Sequence, residues 1–242
     1  MKAFLVKLVK SKAELESAAV MAWFEGFNFS TITREAIDQL VELADIAEDR
    51  EKIAVIDLFR LIILEESQVE YIVTTHWDVL VRVCVIGQTA ISNLRDASSK
   101  VIPNYNKVSL QFLCNIFKTE TGKRIMKNDL EKGIHLIEFC ITSFSSINAP
   151  VQKHSALLLQ NYLLCCDEER KKDVHNQLEA CFRLLDEVLW NKELTDKETL
   201  MAILQVEGMA FFKNVDLCFW MEDIYAPRQK ETWDSLYERT QH

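Results

Sequence analysis

Apolar residues recur at intervals of three and four positions along most of the chain, which is the spacing of amphipathic helices. In Ile53–Glu65 they cover nearly every side of a helix, and only Asp57 and Arg60 interrupt them. A helix of this kind is expected to be packed on several sides. The two charged residues lie three positions apart on one narrow stripe, where they can pair. The pattern predicts either a salt bridge that orients two helices or a groove in which Arg60 meets an anionic partner.

Helices are predicted along the whole chain, because five Gly and three Pro in 242 residues leave few turn residues. Ser30 or Thr31 is expected to cap a helix that runs to Ala44. The polar stretch Asn93–Asn106 contains Pro103 and is expected to be the longest loop. The other predicted helices are Lys2–Lys10, Lys12–Phe24, Gln68–Val73, Trp77–Ala90, Lys107–Lys118, Lys123–Met126, Asp129–Ser146, Gln152–Cys166, Glu168–Asn191, Lys197–Phe212, Asp216–Tyr225 and Gln229–Arg239. We therefore expect an all-α protein.

The buried helices align with one another at a regular interval. Arg60, Gln111, Leu157 and Ala202 take equivalent positions in the alignment, at spacings of 51, 46 and 45 residues. The interval is close to the roughly 40–47-residue period of armadillo and HEAT arrays. Repeats of this kind stack into a superhelix with a concave side. We expect an armadillo/HEAT-like right-handed helical superhelix that forms a single domain over residues 1–242.

The polar stripes of these helices suggest a groove for an extended peptide. Asn115 and Asn161 occupy the same position in successive repeats, and an Asn amide can both donate to and accept from a peptide backbone. The alternative is that each Asn is a cap or makes an interhelical hydrogen bond. The residues expected to face the groove in these two repeats are Lys107, Gln111, Asn115, Lys118, Lys153, Leu157 and Asn161.

Charge and composition narrow the class of partner. The formal net charge is −9, with 16 basic and 17 acidic residues up to Asn128 and 12 basic and 20 acidic residues after it. A domain with this excess of acidic over basic residues is not expected to bind nucleic acid. The longest apolar runs are too short for a signal peptide or a membrane span. Seven cysteines without framework spacing indicate free thiols in a reducing compartment, the cytoplasm or the nucleus.

The sequence contains no recognisable catalytic or metal-binding motif. His135, His154 and His175 lie on separate predicted helices without metal-ligand spacing. Cys165-Cys166 is a remote candidate for a reactive thiol, but adjacent cysteines in an apolar run are typical of a core. We expect a protein that is not an enzyme and needs no cofactor or metal.

Three sequence blocks, taken in order, resemble the PUL domain, which closes the phospholipase-activating-protein family of ubiquitin-pathway adaptors. They are Val55–Leu61 (VIDLFRL), Leu110–Phe117 (LQFLCNIF) with the following Thr121-Gly122-Lys123, and Leu157–Leu163 (LLLQNYL). A weaker fourth block is Glu198–Gly208 (ETLMAILQVEG). The resemblance spans roughly Lys2 to Tyr225.

The resemblance implies a fold and a partner. It implies an armadillo-like array of about six repeats, whose basic groove binds the C-terminal tail of the AAA ATPase valosin-containing protein. Of the family's two functional arginines, the first matches Arg60 and the second falls at Ala202; the family often has Arg where Gln111 stands. The expected function is that of a non-enzymatic adaptor, and the alternative is a helical scaffold for other protein contacts or self-association.

Overall fold

The computed structural model of the chain describes residues 2–12, 17–93, 101–146 and 148–190, together with 196, 198, 199, 202, 203, 205 and 206. All regular secondary structure within these residues is helical, which confirms the all-α prediction. A short 3₁₀ helix lies at Phe29–Thr31. The α-helices are α1 (Lys2–Ser11), α2 (Ala18–Gly26), α3 (Arg34–Ile46), α4 (Asp49–Ile62), α5 (Glu66–Thr75), α6 (Trp77–Asn93), α7 (Val101–Ile116), α8 (Glu120–Asn128), α9 (Leu130–Phe144), α10 (Ala149–Cys165), α11 (Glu168–Asp173) and α12 (His175–Trp190).

The chain divides into two compact units, Met1–Asn128 and Asp129–His242. In the first unit, α4 and α7 form the most extensive helix pair, and α5 packs on α8. The rings of Phe59 and Phe112 meet edge-on between α4 and α7, with centroids 6.4 Å apart. Both rings are buried, so they join the two helices that carry most of the predicted groove residues.

Several helix starts in the first unit differ from the sequence predictions, and those of α3 and α7 have a local explanation. The helix that ends at Ile46 is capped by Thr33, whose Oγ1 accepts from the Ala36 amide, and not by Ser30 or Thr31. The helix α7 begins at Val101, so the loop expected up to Asn106 is wrong in its last six residues. Pro103 fits there because it occupies the first turn, where the backbone N–H has no intrahelical partner to lose.

In the second unit, α9 packs on both α10 and α12. The fully buried side chains of Leu136, Leu159 and Leu185 come from these three helices. The single helix predicted over Glu168–Asn191 is two helices, α11 and α12, because Val174 leaves helical geometry with φ −106° and ψ 18°. The six described residues within the predicted helix Lys197–Phe212 are helical, and the helices predicted after it lie outside the described residues.

Candidate functional site

Arg60 lies in the last turn of α4 and is held by a neighbour on its own helix. Its Nε donates to Asp57 Oδ1 at 2.8 Å, so the ion pair expected from the spacing is formed. The two side chains are 29% and 35% exposed, respectively, and therefore lie where solvent or a ligand reaches them. Within the described part of the chain, Asp57 is the one side chain that contacts the guanidinium through a hydrogen bond. The N–H groups of the two Nη atoms therefore donate to no described side chain.

Asn115 fixes the end of α4 from the neighbouring helix α7. Its Nδ2 donates to the carbonyl oxygen of Arg60 at 2.8 Å. This carbonyl is in the last turn, and the amide of Leu64, which would continue the helix, donates to Leu61 instead. The interhelical hydrogen bond, one of the two interpretations open from the sequence, is therefore formed. Asn115 is 6% exposed, and its Oδ1 accepts no hydrogen bond from the described residues.

A pocket of about 540 Å³ opens between α1, α4 and α7. The sequence predicted Lys107 and Gln111 as groove residues, and both line it. Lys107 makes no hydrogen bond or ion pair through its amine with any described residue. The lining residues are Phe4, Ile53, Ala54, Asp57, Asn104, Lys107, Val108 and Gln111. The pocket thus combines an apolar wall with charged and amide groups, as ligand sites commonly do.

Phe4 is a pocket residue that the sequence patterns did not indicate. It belongs to α1, and its side chain is 48% exposed, whereas Leu5, Leu8 and Val9 of the same helix are buried. A Phe on the polar side of an amphipathic helix is the signal by which it could have been found.

Lys118 follows α7 and stays exposed. Its backbone amide donates to the carbonyl oxygen of Asn115 at 3.0 Å, so the two residues are one turn apart. Five of the nine predicted site residues therefore lie on, or directly after, the packed pair α4 and α7: Arg60, Lys107, Gln111, Asn115 and Lys118.

The other four predicted residues lie in the second unit: Lys153, Leu157, Asn161 and Ala202. Leu157 and Asn161 are half-buried and share one face of α10 with Lys153, which forms an ion pair with Glu198. Ala202 is only 5% exposed. At this position the chain therefore offers a partner little surface.

The described thiols are poorly suited to nucleophilic chemistry. Burial raises the pKa of Cys166 to about 11 and that of Cys140 to about 12, which keeps both protonated near neutral pH. Cys84, Cys114, Cys140, Cys165, Cys166 and Cys181 are all free thiols, and Cys218 lies outside the described residues.

Two further features are absent from the described residues. No group of three or more His, Cys, Asp or Glu side chains there is arranged to hold a metal ion. No helix there combines the length and the apolar character needed to cross a bilayer.

The comparison with protein families identifies residues 6–213 as a PUL domain. The chain belongs to the PUL domain family. PUL domains are helical protein-interaction domains, and this membership confirms the resemblance found in the sequence. Comparison with curated proteins gave no match, and neither did comparison with solved structures.

Two of the PUL sequence blocks lie on the helices of the site. Val55–Leu61 forms the second half of α4, and Leu110–Phe117 forms the end of α7. In the following Thr121-Gly122-Lys123, a Cβ on Gly122 would collide with the carbonyl oxygen of Ile116. Glycine is therefore required where α8 begins against the end of α7. The amide of Thr121 donates to Glu66 Oε1 at 2.8 Å, which ties the start of α8 to α5.

Proposed function

We propose that the surface formed by α4 and α7 binds the C-terminal tail of the AAA ATPase valosin-containing protein. In this role the chain is a non-enzymatic adaptor in ubiquitin-dependent processes of the cytoplasm or the nucleus. The observation that carries the proposal is the group of cations on this helix pair: Arg60, Lys107 and Lys118 project from it. They do so in a unit whose overall charge is nearly balanced.

The chemistry of the surface suits an acidic peptide. The Nη donors of Arg60 bond to no described side chain and can meet a carboxylate, and the amine of Lys107 supplies a second positive charge along the pocket. Asn115, which is only 6% exposed, supports this surface by holding the Arg60 carbonyl through Nδ2. The apolar wall of Phe4, Ile53 and Val108 can then receive a side chain of the tail.

The proposal keeps the larger architecture expected from the sequence. It assumes an armadillo-like right-handed superhelix of about six repeats in a single domain over residues 1–242. Leu157 and Asn161, which share one face of α10, are its further candidates for contacts with the peptide.

The alternative is a scaffold that self-associates or binds other proteins. It is favoured by Leu164, an apolar side chain that is 55% exposed at the end of α10. A self-associating scaffold would form dimers or larger species in sedimentation, and Leu164→Lys would dissociate them.

The test of the proposed function is a calorimetric titration of the chain with a synthetic peptide of the ATPase tail. A matched peptide lacks the last residues of the tail. We expect saturable binding of the full tail and loss of binding for the truncated one. Equal binding of both peptides, or none by either, would contradict the proposal.

A further inference from the structure

We propose that Asp57 is a positioning residue for Arg60, and that the ligand carboxylate binds end-on to the Nη edge of the guanidinium while Asp57 stays bound. The inference rests on the proposed function and adds to it how the anchor engages its ligand. The guanidinium has two edges that can meet a carboxylate, one that includes Nε and one formed by the two Nη groups. Asp57 occupies the first edge through Nε at 2.8 Å.

The geometry leaves the second edge for a partner. No other described side chain accepts a hydrogen bond from the Arg60 guanidinium. A carboxylate that binds there can form two parallel N–H···O bonds without displacing Asp57. The Asp57 carboxylate therefore need not compete with the ligand for the same donors.

The backbone of Arg60 is restrained as well as its side chain, and both restraints bear on the entropy that Arg60 loses when it binds a ligand. Asn115 holds the Arg60 carbonyl at 2.8 Å, and Asp57 holds Nε one turn earlier on α4. A flexible side chain loses rotamer freedom when it binds a ligand, and this loss costs affinity. When both ends of Arg60 are already restrained, less freedom remains to be lost.

The position of Asp57 beside the pocket is consistent with this role. Asp57 lines the pocket with Lys107, yet the two form no ion pair. The negative charge of Asp57 is therefore matched by Arg60, and the amine of Lys107 remains available to the ligand.

Two substitutions at Asp57 separate positioning from charge. Asp57→Asn and Asp57→Ala both remove the negative charge, but only Asn keeps an oxygen that can accept from Arg60 Nε. Both variants are titrated with the tail peptide in its free-acid and its C-terminally amidated form. We expect Asp57→Ala to bind the free acid about three- to tenfold more weakly than Asp57→Asn, since the unrestrained Arg60 must be ordered on binding. Asp57→Asn should stay close to the wild type.

The matched control removes the acid of another Asp–Arg pair with the same three-residue spacing. Asp173 pairs with Arg170 on α11 in the second unit, and Asp173→Ala is expected to leave binding unchanged. A gain in affinity of equal size in Asp57→Asn and Asp57→Ala would show that Asp57 competes with the ligand, and would overturn the inference. Equal affinity of the two variants at the wild-type level would overturn it too. In both outcomes the wild type still binds the tail, so they are distinct from failure of the proposed function.

Discussion

The side-chain amide of Asn115 donates to the carbonyl oxygen of Arg60 at 2.8 Å and so closes the end of α4 with a group from α7. Asn115→Ala removes this donor and leaves a partly buried carbonyl without its partner. We expect the free energy of unfolding to fall by about 1–3 kcal/mol, measured by urea denaturation. The matched control is Asn161→Ala at the equivalent repeat position of α10. The Asn161 side chain makes no hydrogen bond with the described residues, so the change should stay within about 0.5 kcal/mol. Equal losses in the two variants would contradict the capping role.

A second prediction concerns Gly122, where α8 begins against the end of α7. Gly122→Ala places a methyl group on the carbonyl oxygen of Ile116, and a backbone atom cannot rotate away as a side chain can. We expect a loss of about 1–3 kcal/mol in the free energy of unfolding, measured by urea denaturation. The control is Gly26→Ala, where an added Cβ meets open space. Gly26 ends α2, so Ala is expected to be neutral or stabilising there. An unchanged stability of Gly122→Ala would show that the α7–α8 junction is not close-packed.

A third prediction concerns Ala202, the position at which the resemblance places the second arginine of the family. Ala202→Arg would have tightened tail binding if this position were on the surface. Because Ala202 is buried, an Arg there must bury its guanidinium or push neighbouring side chains aside. We expect it to lower the free energy of unfolding by at least about 2 kcal/mol, whereas the exposed control Gln205→Arg should not. Tighter tail binding by a fully stable Ala202→Arg would contradict this.

Buried thiols make stability fall at alkaline pH. Burial raises the pKa of Cys84 and of Cys140 to about 12, from an ordinary 9.0. Unfolded chains ionise these thiols above pH 9, while the folded chain keeps them protonated. Their stabilising contribution is therefore complete below pH 9 and is lost as the pH rises through 12. We expect the melting temperature, followed by circular dichroism, to decline above pH 9. Cys84→Ala should make the decline shallower, and a melting temperature that is constant up to pH 11 would contradict the account.

Most of the helices could be predicted from the sequence because one face of each is apolar at the helical period. This is clearest for α4, which is buried on most sides, although the helix expected to run to Glu65 ends at Ile62. The start of α7 could not be predicted in the same way. A proline such as Pro103 is typical of a loop, but it is also tolerated in the first turn of a helix, where it lies here. The sequence pattern alone does not distinguish a loop from a first helical turn.

The sequence predicted which residues form the site better than it predicted the hydrogen bonds and packing contacts between them. The spacing of Asp57 and Arg60 indicates an ion pair on one helix, and this pair is formed. The sequence spacing does not indicate that Asn115 Nδ2 donates a hydrogen bond to the Arg60 carbonyl. That bond depends on how α4 and α7 pack against each other. The burial of Ala202 likewise depends on tertiary packing that a repeat alignment does not contain.

The central claim is that Arg60 is an anchor for a ligand rather than a structural ion-pair partner. The measurement that tests it most directly is a titration of Arg60→Ala with the tail peptide, together with its melting temperature. Loss of Arg60 leaves Asp57 35% exposed and open to water, so the melting temperature should change little. Binding should weaken about tenfold or more, since a charge-assisted hydrogen bond is lost. The control Arg183→Ala removes an arginine paired with Glu179 on α12 and should bind as the wild type does. A lowered melting temperature with unchanged binding would contradict the account and make Arg60 structural.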